Sequence, residues 1–162
     1  MTALPALTLW QPWATLVAAE VKPFEFRRWP APAWTWGKRI AIHAGARPVK
    51  RKEIEDLLIA LSLGNGWATA LKVEPAFELL LRVRDDLDCL PRSAVVCTAI
   101  MGKPVPAAEA VVAAYGENFQ GDSTRIDHQV FGWPMSAIER LEPPAPAVGK
   151  QGFWKWTPGA QP

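Results

Sequence analysis

Three charged side chains lie close together near the start of the chain: Lys22, Glu25 and Arg27. The run Phe24-Glu25-Phe26-Arg27 alternates apolar and charged residues, the period of a strand. That period puts both phenylalanines on one face and Glu25 with Arg27 on the other. Arginine offers a planar fork of donors suited to a phosphate, a carboxylate or a guanine edge, and a neighbouring carboxylate is the complementary acceptor for an exocyclic amine. Lys22 adds a point charge for phosphate or, if desolvated, a general base. The plain alternatives are a Glu25–Arg27 ion pair on a sheet wall and an ordinary exposed lysine.

His43 closes a second alternating run, Arg39-Ile40-Ala41-Ile42-His43, in which the isoleucines point inward and His43 emerges beside Arg39. Imidazole titrates near neutrality, which makes His43, with Lys22, a candidate for acid–base catalysis. The competing role is a hydrogen-bonded structural histidine at a strand end. His128 falls in a turn-rich stretch and receives no role. Nine tryptophans are many for 162 residues. Trp13, Trp133 and Trp154 fall in segments expected to pack the core, whereas Trp29, Trp34 and Trp36 lie in a Pro-rich stretch, either to stack on bases or to cover one end of the fold.

Net charge is only +2, but its distribution is uneven. Through Lys52 there are nine Lys and Arg against two Glu (+7), which leaves nine against fourteen acidic residues (−5). Phosphate attraction needs local rather than total positive charge, so this asymmetry suits a surface that faces phosphates. A solvated helix start at Lys50-Arg51-Lys52 would account for part of it.

The elements that must carry these groups are legible from periodicity. Ala6–Trp10 reads as a strand, and Gln11-Pro12-Trp13 opens a helix to about Glu20, with Trp13, Leu16 and Val17 on one buried face. Strands follow at 24–27 and 39–43. Ile54, Leu57, Leu58 and Leu61 define a helix over 49–63, stopped by Gly64-Asn65-Gly66. Residues 75–87 suit a helix, although Leu79-Leu80-Leu81 would also suit a buried strand. Ser93–Met101 is a central strand, 106–114 a short helix or turn, and 117–128 a loop. Closing strands at 133–141 and 153–156 are joined by the Pro-rich connection at 143–146. Strands with inserted helices and no regular βαβ alternation imply an α+β fold.

The length suits a single domain over 1–162, and the hydrophobic and charged fractions, 49% and 21%, are those of a folded globular protein. No leader pattern or long apolar run is visible, so a cytoplasmic location and no membrane partner are expected. Cys89 and Cys97 match no zinc or redox spacing, and both are read as reduced, Cys97 within an apolar run. Phosphate-loop, serine-elbow and zinc-protease signatures are absent, and no cofactor or metal is expected.

Leu9-Trp10-Gln11-Pro12-Trp13-Ala14 followed by Val21-Lys22-Pro23-Phe24-Glu25-Phe26-Arg27-Arg28-Trp29 resembles the opening of the ASCH family, with its Gly-x-Lys-x-x-Glu-x-Arg motif. The motif's Lys, Glu and Arg fall on Lys22, Glu25 and Arg27. Its glycine is replaced by Glu20, and glutamate resists the positive φ that glycine adopts, which puts the usual helix-to-strand turn in question. The similarity continues through Ile40–Gly45, Val95–Gly102, Phe131-Gly132-Trp133 and Gly149-Lys150-Gln151-Gly152-Phe153-Trp154, and is weakest over 46–92.

The resemblance implies a PUA-like β-barrel with a basic cleft beside the first helix. The resemblance has Lys22, Glu25 and Arg27 line that cleft, and with the residue readings above the expected ligand-binding set is Trp10, Gln11, Pro12, Trp13, Lys22, Glu25, Arg27, Arg28, Trp29, Arg39 and His43. The family's suggested role is RNA binding, so the leading expectation is a module for RNA or a nucleotide-like ligand. A hydrolase acting on RNA or on a modified nucleoside is the alternative. Family members that deacetylate a modified cytidine have threonine where this chain has Glu25, so that activity is not carried over. A coactivator-type domain with a protein partner is the third option.

Overall fold

The computed structural model describes residues 2–64, 69–115 and 131–159. Its elements are β1 (Leu4–Leu9), α1 (Trp13–Ala18), β2 (Phe24–Arg27), a 3-10 turn (Ala33–Thr35), β3 (Lys38–Ala44), α2 (Arg51–Ser62) and α3 (Val73–Asp85). A second 3-10 turn (Leu87–Cys89), β4 (Ala94–Met101), β5 (Val105–Pro106), α4 (Ala107–Tyr115), β6 (Phe131–Pro146) and β7 (Phe153–Trp156) follow. Asn65, Gly66 and the expected loop over 117–128, His128 included, lie outside the described residues.

The fold is α+β. Seven strands form one mixed sheet in the order β2-β6-β4-β3-β1-β7, with β5 added on β6. Among the described residues only β1 and β3 run parallel; the other pairs are antiparallel. The expected barrel does not close: β2 and β7 are the two ends of the path, and no ladder joins them among the described residues. Each is four residues long and pairs with one neighbour, β2 with β6 and β7 with β1. Register shifts at Ile42/His43, Val95/Cys97 and Thr98/Ile100 nevertheless bend the sheet.

β6 is a single strand where a strand plus a Pro-rich connection was expected. Its first residues pair with β2 and β5, and from Met135 onward it pairs with β4. Along 143–146 the ladder to β4 is the one described, so prolines there remove no bond from a second neighbour.

β3 and β4 are buried on both faces, which explains their near-continuous apolar runs. On one face Leu7, Leu9, Ile40, Ile42, Met101 and Trp133 pack against Ala14, Val17 and Ala18 of α1. On the other, Ala6, Ala41, Val95, Ala147 and Trp156 form a smaller core. A third core joins Leu16 on the far side of α1, and Val21 in the turn after it, to Ile54, Leu58 and Leu61 of α2 and Ala76, Leu80 and Val83 of α3. The i, i+4, i+7 spacing of that last set shows why 73–85 is a helix although Leu79-Leu80-Leu81 fits a strand. Trp13 packs against both the sheet core and the helical core. No helix among the described residues is long and apolar enough to cross a membrane. Both cysteines are free, and burial in β4 pushes the Cys97 thiol up to about 12.

Candidate functional site

A cleft of about 1310 Å³ is bounded by β2, the entry to α1, α2 and the loop between β6 and β7. Lys22, Glu25 and Arg27 all line it, brought there by the turn after α1 and by β2. Glu20 forms that turn. Its φ is +60°, and the amides of Val21 and Lys22 both donate to the carbonyl of Leu16, at 3.1 and 3.2 Å. The helix therefore ends in a left-handed residue although the side chain is not glycine. Glu20 is exposed and does not line the cleft, so its carboxylate is kept from the mouth.

Lys22 is only 6% exposed. Its ammonium lies 3.0 Å from Glu25 Oε2, donates to the carbonyl of Phe24, and sits 5.7 and 5.6 Å from the rings of Trp13 and Phe26. Glu25 is 9% exposed, and its other oxygen lies 3.0 Å from the Arg27 guanidinium. One buried carboxylate is thus held between two cations. The Arg27 guanidinium lies 5.9 Å from the ring of Trp133, and its Nε–H is buried with no hydrogen-bond partner. Glu25 and Arg27 share a strand face as the alternation predicts, while Phe24 and Phe26 lie together with ring centroids 6.3 Å apart.

Other site residues divide by what they already bind. Trp10, Pro12, Trp13 and Trp29 line the cleft, Trp10 and Trp29 with exposed rings. Gln11 also lines it but is buried and committed: its amide nitrogen donates to Thr15 Oγ1 and the carbonyl of Pro91, and its oxygen accepts from the Thr15 amide. It fastens the start of α1 to the approach to β4.

His43 does not emerge from the sheet. It is buried, its ring packs edge-on against Trp154 at 5.4 Å, and Nε2 lies 3.0 Å from the carbonyl of Ala147. A carbonyl only accepts, so Nε2 carries the proton and Nδ1 is left as an unpartnered buried acceptor. Burial lowers the imidazole pKa, opposed by that carbonyl bond. Gly149 explains the fit: a Cβ there would fall 2.4 Å from His43 Cε1 and 2.9 Å from Thr8 Oγ1. Thr8 Oγ1 donates to the carbonyl of Lys150 at 3.1 Å, so His43 and Thr8 together pin the loop that forms one wall.

Arg28 and Arg39 do not line the cleft. Arg28 is exposed, and Arg39 is held on the sheet by Glu139 at 3.0 Å and Thr98 Oγ1 at 2.8 Å. Sequence reasoning singled out neither Arg47 nor Glu53 for the site. Arg47 lies 4.6 Å from the exposed ring of Trp10 and grips Glu53 with two nitrogens, at 2.5 and 3.3 Å. That hydrogen bonding holds the Glu53 carboxyl below its ordinary range. No local periodicity links a residue before α2 to a tryptophan after β1, so nothing in the sequence flagged this contact.

The cleft is also less basic than expected. Among the described residues its cations are Lys22, Arg27, Arg47 and Lys150, against Glu25, Glu53 and Asp56. Of the surplus at the start of α2, Arg51 bonds the carbonyl of Arg84, and Lys52, itself not in the lining, pairs with the cleft residue Asp56. Its walls are instead rich in rings, with Trp10, Trp13, Phe26, Trp29, Trp133 and Phe153. No group of His, Cys, Asp and Glu among the described residues could hold a metal ion. Compared with known proteins, the chain matches no family model and no curated protein.

Proposed function

We propose that this protein is an RNA- or nucleotide-binding module that seats one nucleotide in the cleft. The observation that carries this reading is the Lys22–Glu25–Arg27 arrangement, a buried carboxylate between two cations on an aromatic wall, with the Arg27 Nε–H lacking an acceptor. A planar ring with both an amine and a carbonyl edge matches such alternating acceptors and donors, and the surrounding rings supply stacking. The near balance of charge favours one base with one phosphate over a long polyanion in the cleft itself. The ASCH-like motif and its PUA-like setting belong to the same proposal, resting on the residues quoted above. Binding is preferred over hydrolysis because Lys22 and His43 are both committed to structural bonds.

The test is equilibrium binding of mononucleotides and short RNA across a salt series. One or two phosphate contacts give a shallow dependence, with a log–log slope of about −0.7 per phosphate for single strands. Arg27→Ala should remove most of the affinity. Affinity indifferent to both salt and Arg27→Ala would eliminate the proposal.

A further inference from the structure

Trp29, which lines the cleft, is 58% exposed, and beyond the cleft lining Trp34 and Trp36 are 50% and 38% exposed. Three partly exposed indoles on one short segment offer ring surface on which a partner can stack. The segment that carries them is well fastened. Trp133 Nε1 donates to the carbonyl of Trp29 at 3.0 Å, and Trp36 Nε1 donates to that of Ala31 at 3.0 Å. Thr35 bonds the carbonyl of Pro32 through both its amide, at 2.8 Å, and its hydroxyl, at 2.6 Å, and the Gly37 amide bonds that of Met101 at 2.7 Å. Ala31 and Thr35 are buried beneath it. The rings are therefore presented from a backbone already ordered, which lowers the entropic cost of binding through them.

The segment adjoins the cleft. Trp29 lines the cleft, and Trp34 meets Phe153 edge-on at 5.2 Å, while Phe153 stacks on Trp133 at 6.1 Å inside the cleft. Charge selects the occupant. No acidic residue occurs between Glu25 and Glu53, and Arg28, Lys38 and Lys103 are exposed. The Lys103 ammonium lies 5.6 Å from the Trp36 ring. Exposed rings with cations on or beside the same segment, none of them in an ion pair among the described residues, fit a chain of bases on a polyanionic backbone, because bases stack on indole faces and phosphates meet the cations. An apolar peptide would leave those cations unanswered.

We propose that Trp29, Trp34 and Trp36 form a second binding surface, which stacks the bases of single-stranded RNA flanking the nucleotide held in the cleft. It rests on the reading of the cleft given above and extends it from one nucleotide to a short strand.

The experiment measures fluorescence anisotropy of labelled oligouridylates of increasing length, with uridine monophosphate as competitor and an abasic strand of equal charge as control. Affinity should rise with length over the first few nucleotides and then level off, and the salt dependence should steepen over the same range. The abasic strand should bind more weakly by at least tenfold. Trp34→Ala and Trp36→Ala should each lower the ratio of oligomer to monophosphate affinity about 5- to 140-fold, the range for one lost base stack. Monophosphate binding with affinity independent of length would overturn the rim and leave the cleft reading intact. Absence of binding to monophosphate and oligomers alike would overturn both. Equal affinity for abasic and base-bearing strands would overturn the rim even if length matters, and the length series in the unaltered chain decides the matter should a variant fail to fold.

Discussion

Replacing Glu25 by glutamine tests whether the buried carboxylate organises the site. At 3.0 Å and an effective dielectric of about 20, the attraction between Lys22 and Glu25 is roughly 5 kcal/mol gross, before either group's desolvation is counted. Removing one partner of a buried pair leaves the other charge uncompensated and typically costs about 3–5 kcal/mol. Lys22 keeps the carbonyl of Phe24 and the two ring contacts, worth roughly 0.5–2 kcal/mol each when desolvated, and glutamine still offers one acceptor. A net loss of about 2–3 kcal/mol is expected for Glu25→Gln. Urea denaturation would show it as a lowered midpoint with unchanged slope, and for a chain this long it amounts to a fall of about 4–12 °C in Tm. Lys22→Met in the same background removes the stranded charge, so the double variant should recover at least half of the loss. A Glu25→Gln protein within about 0.5 kcal/mol of the parent, or a double variant showing no coupling, would refute the reasoning.

Glu20→Gly should stabilise the protein by about 0.5–1 kcal/mol in the same denaturation assay, because relief of a left-handed non-glycine residue exceeds the backbone entropy that glycine adds. Gly149→Ala should destabilise by about 1–3 kcal/mol, since the new Cβ meets a buried imidazole that cannot swing away, and Gly152→Ala, with open space around it, measures the left-handed strain alone. For His43 the sign follows from a lowered pKa: the unfolded chain binds the proton first. Stability should therefore fall as pH drops below the ordinary imidazole value of 6.5, by up to about 1.4 kcal/mol per pH unit, and levels off below the lowered folded value. A His43→Gln variant that keeps the same slope between pH 7 and 5 would assign the effect to another group.

The sequence by itself determined the local elements and one part of the site. Period-2 alternation placed Glu25 and Arg27 on one face of β2, the 3.6-residue spacing defined α2, and the apolar run 94–101 marked a central strand, all local properties of the chain. It did not determine where the charges go. The +7 surplus of the first 52 residues suggested a basic cleft, yet most of those cations face solvent or a partner elsewhere, because orientation depends on how α2 packs through Ile54 and Leu58. His43 has the pattern of an emerging residue, but the sheet covers it with the 147–152 loop, a contact across about a hundred residues that no window of sequence contains. Sheet closure was likewise a tertiary matter. Strand identity follows from residue type, whereas whether the first and last strands of the path pair depends on the accumulated bend of every ladder between them, and here no ladder joins β2 to β7 among the described residues. The pairing of Trp10 with Arg47 and the contact of Trp34 with Phe153 belong to the same class, since each needs two segments brought together by packing that neither segment encodes alone.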